Sequence, residues 1–330
     1  MEKKDLNERQ RKILYCIVRE YIEQRKPISS KRVLEVTNLN WSGATVRNDM
    51  RKLEYLGYIY QPHTSAGRIP TDKGYRFYLE EMLRLQKDVE KTNAKIDMFH
   101  VFPLGDLEKI LEGAARLLSR MTKGYVILEK PDPSFLKILR VVLTNIFEDY
   151  YIISIITELG LSKIFPFRSS EINIQIKERD LNRMFVGLSL KEAIEIAKKA
   201  ESDKIFNLMN RLLYETEENF VETGLDMLLS DNTLSIEDIK KFSLFVSKKS
   251  NIWDIMKKEG EKVIVRIGQE HEHPYLSNFA SFLAFYKKEN NVIGRILILT
   301  SKVTRYDFVY KSLDYMANRL TEYFTLLSRR

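Results

Sequence analysis

The sequence predicts a multidomain α+β chain, with an N-terminal winged helix-turn-helix followed by an α/β body whose strands are interrupted by a helical insertion. Three observations predict it. The basic excess sits in the first quarter: residues 1–80 hold 16 Lys and Arg against 10 Asp and Glu, a net of +6 out of +8 for the whole chain. That quarter also shows three short helical periods followed by two brief β runs around a small polar loop. Strand-rich segments then lie on both sides of a long helical stretch.

The first helix is predicted over 6–25, where Ile13, Leu14, Ile17, Val18, Tyr21 and Ile22 recur at helical spacing between charged residues and Pro27 stops the run. Ser29 and Ser30 can cap a second short helix to about residue 36, residues 37–40 are turn material, and Ser42 caps a third helix. In the third helix Val46, Met50 and Leu53 form one apolar stripe, which leaves Thr45, Arg47, Asn48, Arg51 and Lys52 on the other faces. Such a face suits the major groove, because Arg pairs bidentately with guanine and Asn with adenine. Residues 58–61 read as a strand, 63–67 as a loop and 68–69 as a return strand, which makes a wing with Arg68 at its tip. Pro70 and Thr71 launch a fourth helix.

These patterns place Thr45, Arg47, Asn48 and Arg51 on bases or adjacent phosphates, and Lys31, Arg32, Lys52, Arg68, Lys73 and Arg76 on the sugar–phosphate backbone of double-stranded DNA. The competing reading is that the helices serve protein contacts and the basic residues form a solvated face. A chain of 330 residues has room for two or three domains, and 44% hydrophobic residues with 13 Gly and 8 Pro predict ordered, helix-rich structure.

The strings Leu6-Asn7-Glu8-Arg9-Gln10, Ala44-Thr45-Val46-Arg47-Asn48-Asp49-Met50, Leu53-Glu54-Tyr55-Leu56-Gly57 and Pro62-His63-Thr64-Ser65-Ala66-Gly67-Arg68-Ile69-Pro70-Thr71 resemble the DNA-binding domain of the HrcA family of heat-inducible transcription repressors. The resemblance extends along the chain, since Val265-Arg266-Ile267-Gly268-Gln269-Glu270 also looks like a family signature. Residues 299–306 depart from the family, many members of which carry a Gly-Pro turn followed by Arg-Met there. The resemblance implies a homodimer on an inverted-repeat operator upstream of heat-shock chaperone genes. It also implies support of the active repressor by the chaperonin GroEL, and release from the operator on heat stress.

Beyond residue 88 the expected linker covers 89–102. Leu107, Ile110, Leu111, Ala114, Leu117, Leu118 and Met121 predict a helix that Gly124 closes. Residues 136–143 and 150–157 read as a hairpin, and 262–267, 278–286 and 292–300 as three later strands that can join it in one sheet before a final helix over 305–327. Between them Ser189-Leu190-Lys191-Glu192 is a capping box opening a helix to residue 200, and 203–229 is helical in pattern. The division expected is a winged helix at 1–88, a discontinuous α/β domain at 103–168 and 249–330, and an insertion at 169–248. The family resemblance implies that the first of these body domains is GAF-like and that the insertion is dimerising.

Catalytic chemistry is not expected. There is no Gly-rich phosphate loop, no Gly-x-Ser-x-Gly elbow and no His-Glu-x-x-His helix. Cys16 is the sole cysteine, which excludes intrachain disulfides and multi-cysteine metal sites and fits a reducing interior; its apolar neighbours predict burial. Trp41 reads as a packing residue before the third helix. In Glu270-His271-Glu272-His273 alternation could set two histidines on one face as metal ligands, but further ligands, His63 and His100, are distant in sequence, and a polar loop is the preferred reading. No cofactor is expected. Residues 1–10 lack an apolar signal core and no run approaches the ~18 apolar residues of a membrane span, so a cytoplasmic soluble protein is expected. The alternative function is a small-molecule sensor whose basic N-terminal domain serves protein contacts.

Overall fold

The computed structural model describes residues 6–37, 41–64, 66–86, 107–131, 136–158, 162–169, 177–199, 220–257, 260, 262–288 and 290–327. The expected linker at 89–102, His100 and most of the helical pattern at 203–229 lie outside them. Among the described residues no helix is long and apolar enough to cross a membrane.

Helix α1 (Glu8–Gln24) starts two residues later than expected because Asn7 is its cap. The Asn7 side chain accepts from the Gln10 amide at 2.9 Å and the Gln10 side chain accepts from the Asn7 amide at 3.1 Å, which satisfies two of the donors a helix start leaves open. Helices α2 (Ser30–Thr37) and α3 (Gly43–Tyr55) follow, then the wing strands β1 (Ile59–Tyr60) and β2 (Ile69–Pro70), then α4 (Asp72–Gln86). Ile13, Leu14, Ile17 and Val18 of α1 pack with Val33, Val46, Met50 and Leu53 in a core that includes the buried Cys16.

The body is built on a five-stranded antiparallel sheet. Helix α5 (Leu107–Thr122) leads into β3 (Tyr125–Glu129), and β3 pairs on one side with β7 (Phe220–Thr223). On its other side β3 pairs with β10 (Asn291–Ser301), followed by β9 (Phe279–Lys288) and β8 (Ile264–Ile267). Both faces are covered, so the strands are apolar at nearly every position. Val126, Leu128, Phe282, Ala284, Ile296 and Ile298 face α5 and the last helix, α11 (Tyr306–Leu327), whereas Tyr125, Ile127, Leu283, Leu297 and Leu299 face the other layer. That layer contains α8 (Leu225–Leu229), α9 (Ile236–Val246) and α10 (Lys249–Met256). The left-handed residue ending α5 is Lys123 (φ 52), not Gly124. Gly124 is required by packing, since a Cβ there would sit 2.8 Å from Ile298 Cγ2 and Thr300 Cγ2.

Two expectations about the body sheet also differ from the structure. The early hairpin does not join the three late strands: β4 (Ile138–Phe147) and β5 (Tyr150–Thr157) form a separate sheet with β6 (Ser162–Arg168). Helix α6 (Glu178–Phe185) closes the free edge of β4, because Asn182 accepts from the Val141 amide at 3.0 Å and donates to its carbonyl at 2.6 Å, and Glu178 accepts from the Leu143 amide at 3.1 Å. An edge covered in this way is blocked along its middle against pairing with another sheet. Helix α7 (Leu190–Lys199), opened by the expected Ser189/Glu192 box, completes that small core. Secondly, residues 225–256 pack against the five-stranded sheet, where Phe242 stacks on Phe279 at 4.8 Å, and so lie with the body sheet instead of with an insertion ending at 248.

Candidate nucleic-acid interface

The inner side of α3 is fixed first. Val46, Met50 and Leu53 are buried, and so is Asp49, which shares their stripe. Its carboxylate accepts from Arg9 Nε at 2.6 Å and from Gln10 Nε2 at 3.0 Å. Gln10 thus serves both the α1 cap and the α1–α3 contact. The Asp49 hydrogen bond and charge raise the pKa of Arg9 further above its ordinary range, so the guanidinium stays charged. Ser42 caps α3 by accepting from the Thr45 amide at 3.1 Å, and the Thr45 hydroxyl lies 2.9 Å from Ser42 Oγ.

With that side committed, Arg47, Asn48, Arg51 and Lys52 project from the exposed face of α3. Among the described residues none of the four has a hydrogen-bonded or ionic side-chain partner. Tyr55 continues the same face one turn beyond Arg51 and is 90% exposed; the sequence reading missed it because an aromatic at a helix end reads as core.

The other expected contacts divide. Lys31 is exposed on α2, 3.9 Å from Glu35. Arg32 turns inward to the buried Glu20, its Nε donating at 2.8 Å, and this hydrogen bond leads the rise in its pKa. Lys73 stays on the wing side, donating to the Leu56 carbonyl at 2.9 Å with its ammonium 4.2 Å from the Tyr58 ring centroid. Arg76 is not with them: it faces the body, where it donates to both carboxylate oxygens of Glu270 and, at 2.8 Å, to the Val265 carbonyl.

Arg68 is at the base of the wing instead of its tip. Its backbone exchanges two hydrogen bonds with Ile28, at 2.9 and 2.8 Å, and its guanidinium pairs with Glu54 at 2.9 Å. Gly67 beside it has no room for a Cβ, which would collide with the Ile28 carbonyl. Among the described residues the exposed tip is made by His63 and Thr64, in a loop organised by Gln61 Nε2, which donates to the Thr64 and Ala66 carbonyls at 2.8 Å each. Asp49 was legible as a polar residue on an apolar stripe; Gln61 had no such signal.

The histidine segment forms a turn of 3-10 helix, Gly268–His271. His271 is buried between the Gly268 carbonyl and Ser281 Oγ, while His273 packs edge-on against Phe245, so the two do not converge as ligands. Among the described residues no group of three His, Cys, Asp or Glu is placed to hold a metal ion. Burial pushes the Cys16 thiol up to about 11, which suits packing and not redox chemistry.

Two family models match the chain: the winged helix-turn-helix DNA-binding domain of the HrcA transcription repressor over residues 5–84, and the HrcA C-terminal domain over 108–309. The heat-inducible transcription repressor HrcA of Thermotoga sp. strain RQ2 is 50% identical over 99% of this chain and 96% of its own length. That of Thermotoga maritima is 49% identical over the same shares. The repressor of Clostridium botulinum strain Eklund 17B is 27% identical over 98% of this chain and 99% of its own. A crystal structure described only as that of a hypothetical protein superposes with a TM-score of 0.74 at 48% identity, covering 98% of this chain and 99% of that one. An N-terminal winged helix with an exposed, basic third helix, matched from end to end to such relatives, places this chain in the HrcA family of heat-inducible transcription repressors.

Proposed function

We propose that the chain represses as a homodimer on an inverted-repeat operator, each protomer laying α3 in the major groove of one half-site. The observation that carries this reading is the α3 face itself, where Arg47, Asn48, Arg51 and Lys52 stand exposed beside the wing while the opposite side is locked to α1. In this reading Arg47, Asn48 and Arg51 reach base edges, and Thr45 lies at the adjacent backbone as part of the helix cap. Lys31, Lys52 and Lys73 serve phosphates, and Arg32 and Arg68 mainly stiffen the surface that presents them.

The body is read as a GAF-like α/β domain interrupted by a dimerising insertion, with the insertion bounded near 130 and 219. Its support is that β3 and β7 are neighbours in one sheet although 90 residues separate Glu129 from Phe220 in the chain. The intervening three-stranded sheet exposes Leu139, Ile146, Phe147 and Ile164. Exposed apolar side chains on one small unit suit contact with a second copy. Chaperonin support of the folded repressor, which family membership implies, is the sensing step of this reading, with chaperone genes as the repressed targets.

The test is operator selection from a randomised duplex library, followed by binding of Arg47→Ala to the selected duplex and to random DNA. Losing a bidentate base contact costs about 1–3 kcal/mol on the correct base. The expected result is a loss confined to the selected sequence; equal losses on both duplexes reject α3 as the reader.

A further inference from the structure

The segment Val265-Arg266-Ile267-Gly268-Gln269-Glu270 of the body touches helix α4 of the winged-helix domain directly. Asp72, the first residue of α4, accepts from the Gln269 amide at 3.0 Å and from Lys302 Nζ at 2.9 Å. Gly268 has φ 54, and a Cβ on it would run into the Asp72 carboxylate, so glycine is required there for both conformation and approach. One turn further along α4, Arg76 is gripped bidentately by Glu270, whose carboxylate is in turn held by the Ile267 amide at 2.9 Å. Between these two contacts Tyr75 and Tyr306 meet at 5.9 Å, both almost wholly buried.

We infer that α4 is a latch: Asp72 and Arg76 are positioning residues that fix the DNA-reading head on the body and so set the half-site spacing the repressor accepts. Helix α4 divides its charges for this. Lys73 turns toward the wing, and Asp72 and Arg76 turn toward the body. Paired, partly buried and bidentate contacts hold orientation as well as energy. The socket also includes Lys302, which donates to Asp72 at 2.9 Å and to the Ser277 carbonyl at 3.2 Å and so ties α4 to the loop before β9. Two heads held rigidly on a dimer present their α3 helices at one separation; heads released from the socket engage half-sites over a range of separations.

The inference rests on the two-headed reading above, and its test separates the two. Body-side variants avoid any residue facing DNA: Glu270→Gln with Lys302→Met in the full chain, and Lys302→Met alone if the double variant does not fold. The probes are the selected operator, the same duplex with about five base pairs, half a helical turn, inserted between its half-sites, and a single half-site. Wild type should lose about tenfold or more on the spaced duplex, whereas the variant should lose less than about threefold, in keeping with avidity that depends on tether geometry. Half-site affinity should be equal for both, which a merely destabilised head would not give. A sharp wild-type spacing preference that the variant reproduces overturns the latch alone. A wild type that gains from the second half-site but is indifferent to spacing also overturns the latch alone, and one that binds the full operator no better than the single half-site overturns the two-headed reading and the latch with it.

Discussion

Gln10 Nε2 donates to Asp49 Oδ1 at 3.0 Å, so the residue that closes the α1 capping box also holds the inner side of α3. Removing the carboxylate strands a buried amide and frees the Arg9 guanidinium. Asp49→Ala should therefore destabilise the winged helix by about 1–3 kcal/mol. At temperatures well below unfolding it should also weaken operator binding more than binding to random DNA, because α3 loses its fixed rotation. Asp49→Asn, which can still accept from Gln10, should recover most of the stability. Urea melts together with fluorescence anisotropy on both duplexes check this, and full stability in the Ala variant would reject it.

The wing is anchored at Gly67, whose position against the Ile28 carbonyl leaves no space for a side chain. Gly67→Ala must push the strand away from Ile28 and lengthen the two backbone bonds between Ile28 and Arg68. The expected cost is about 1–3 kcal/mol, as for other overpacked sites. Gly43→Ala is the control, since its new methyl would meet Leu34 and Arg47 only at 3.9 and 4.0 Å. In the first turn of a helix it should stabilise by about 0.4–1 kcal/mol. Thermal melts of the two variants should move in opposite directions.

The reading head was legible because its signals are local. The stripe Val46, Met50 and Leu53 names the buried side of α3 and hence, by exclusion, Arg47, Asn48 and Arg51 on the outer face. Contacts between distant segments were not legible. Arg76 carries the same charge as Lys73 three residues earlier, and only the fold brings Glu270 to one and the wing to the other. Strand pairing failed for the same reason: residues 138–147 and 150–157 do form the hairpin their β-rich composition predicts, but the edge that Asn182 and Glu178 occupy is set by tertiary structure. Arg68 is basic beside a small polar loop, which suggested the tip; Glu54, fourteen residues away, draws it to the base.

Lys73 is exposed, and its ammonium is already positioned by the Leu56 carbonyl and the Tyr58 ring. If Lys73 serves a phosphate as proposed, its contact releases one counterion. Lys73→Ala should weaken binding to operator and to random DNA by similar factors and reduce the slope of log affinity against log salt by about 1. Titrations at four salt concentrations measure this. An unchanged slope would place Lys73 off the DNA, and a loss restricted to the operator would make it a base-reading residue.

His271 is buried, its Nδ1 lies 2.8 Å from the Gly268 carbonyl and its Nε2 lies 2.9 Å from Ser281 Oγ. A carbonyl can only accept, so Nδ1 holds the proton and Nε2 accepts from the serine hydroxyl in the neutral ring. Burial pushes the pKa down from 6.5 to about 4. The unfolded chain therefore takes up a proton near pH 6.5 that the folded chain refuses until about pH 4. Stability from this group is complete above the unfolded value, is lost as the pH falls through that window, and levels off below it. Between pH 7.5 and pH 5 the wild type should lose about 2 kcal/mol more than His271→Gln, whose side chain does not titrate. Urea midpoints of the two proteins at both pH values measure the difference, and equal losses would show that His271 is protonated in the fold as readily as outside it.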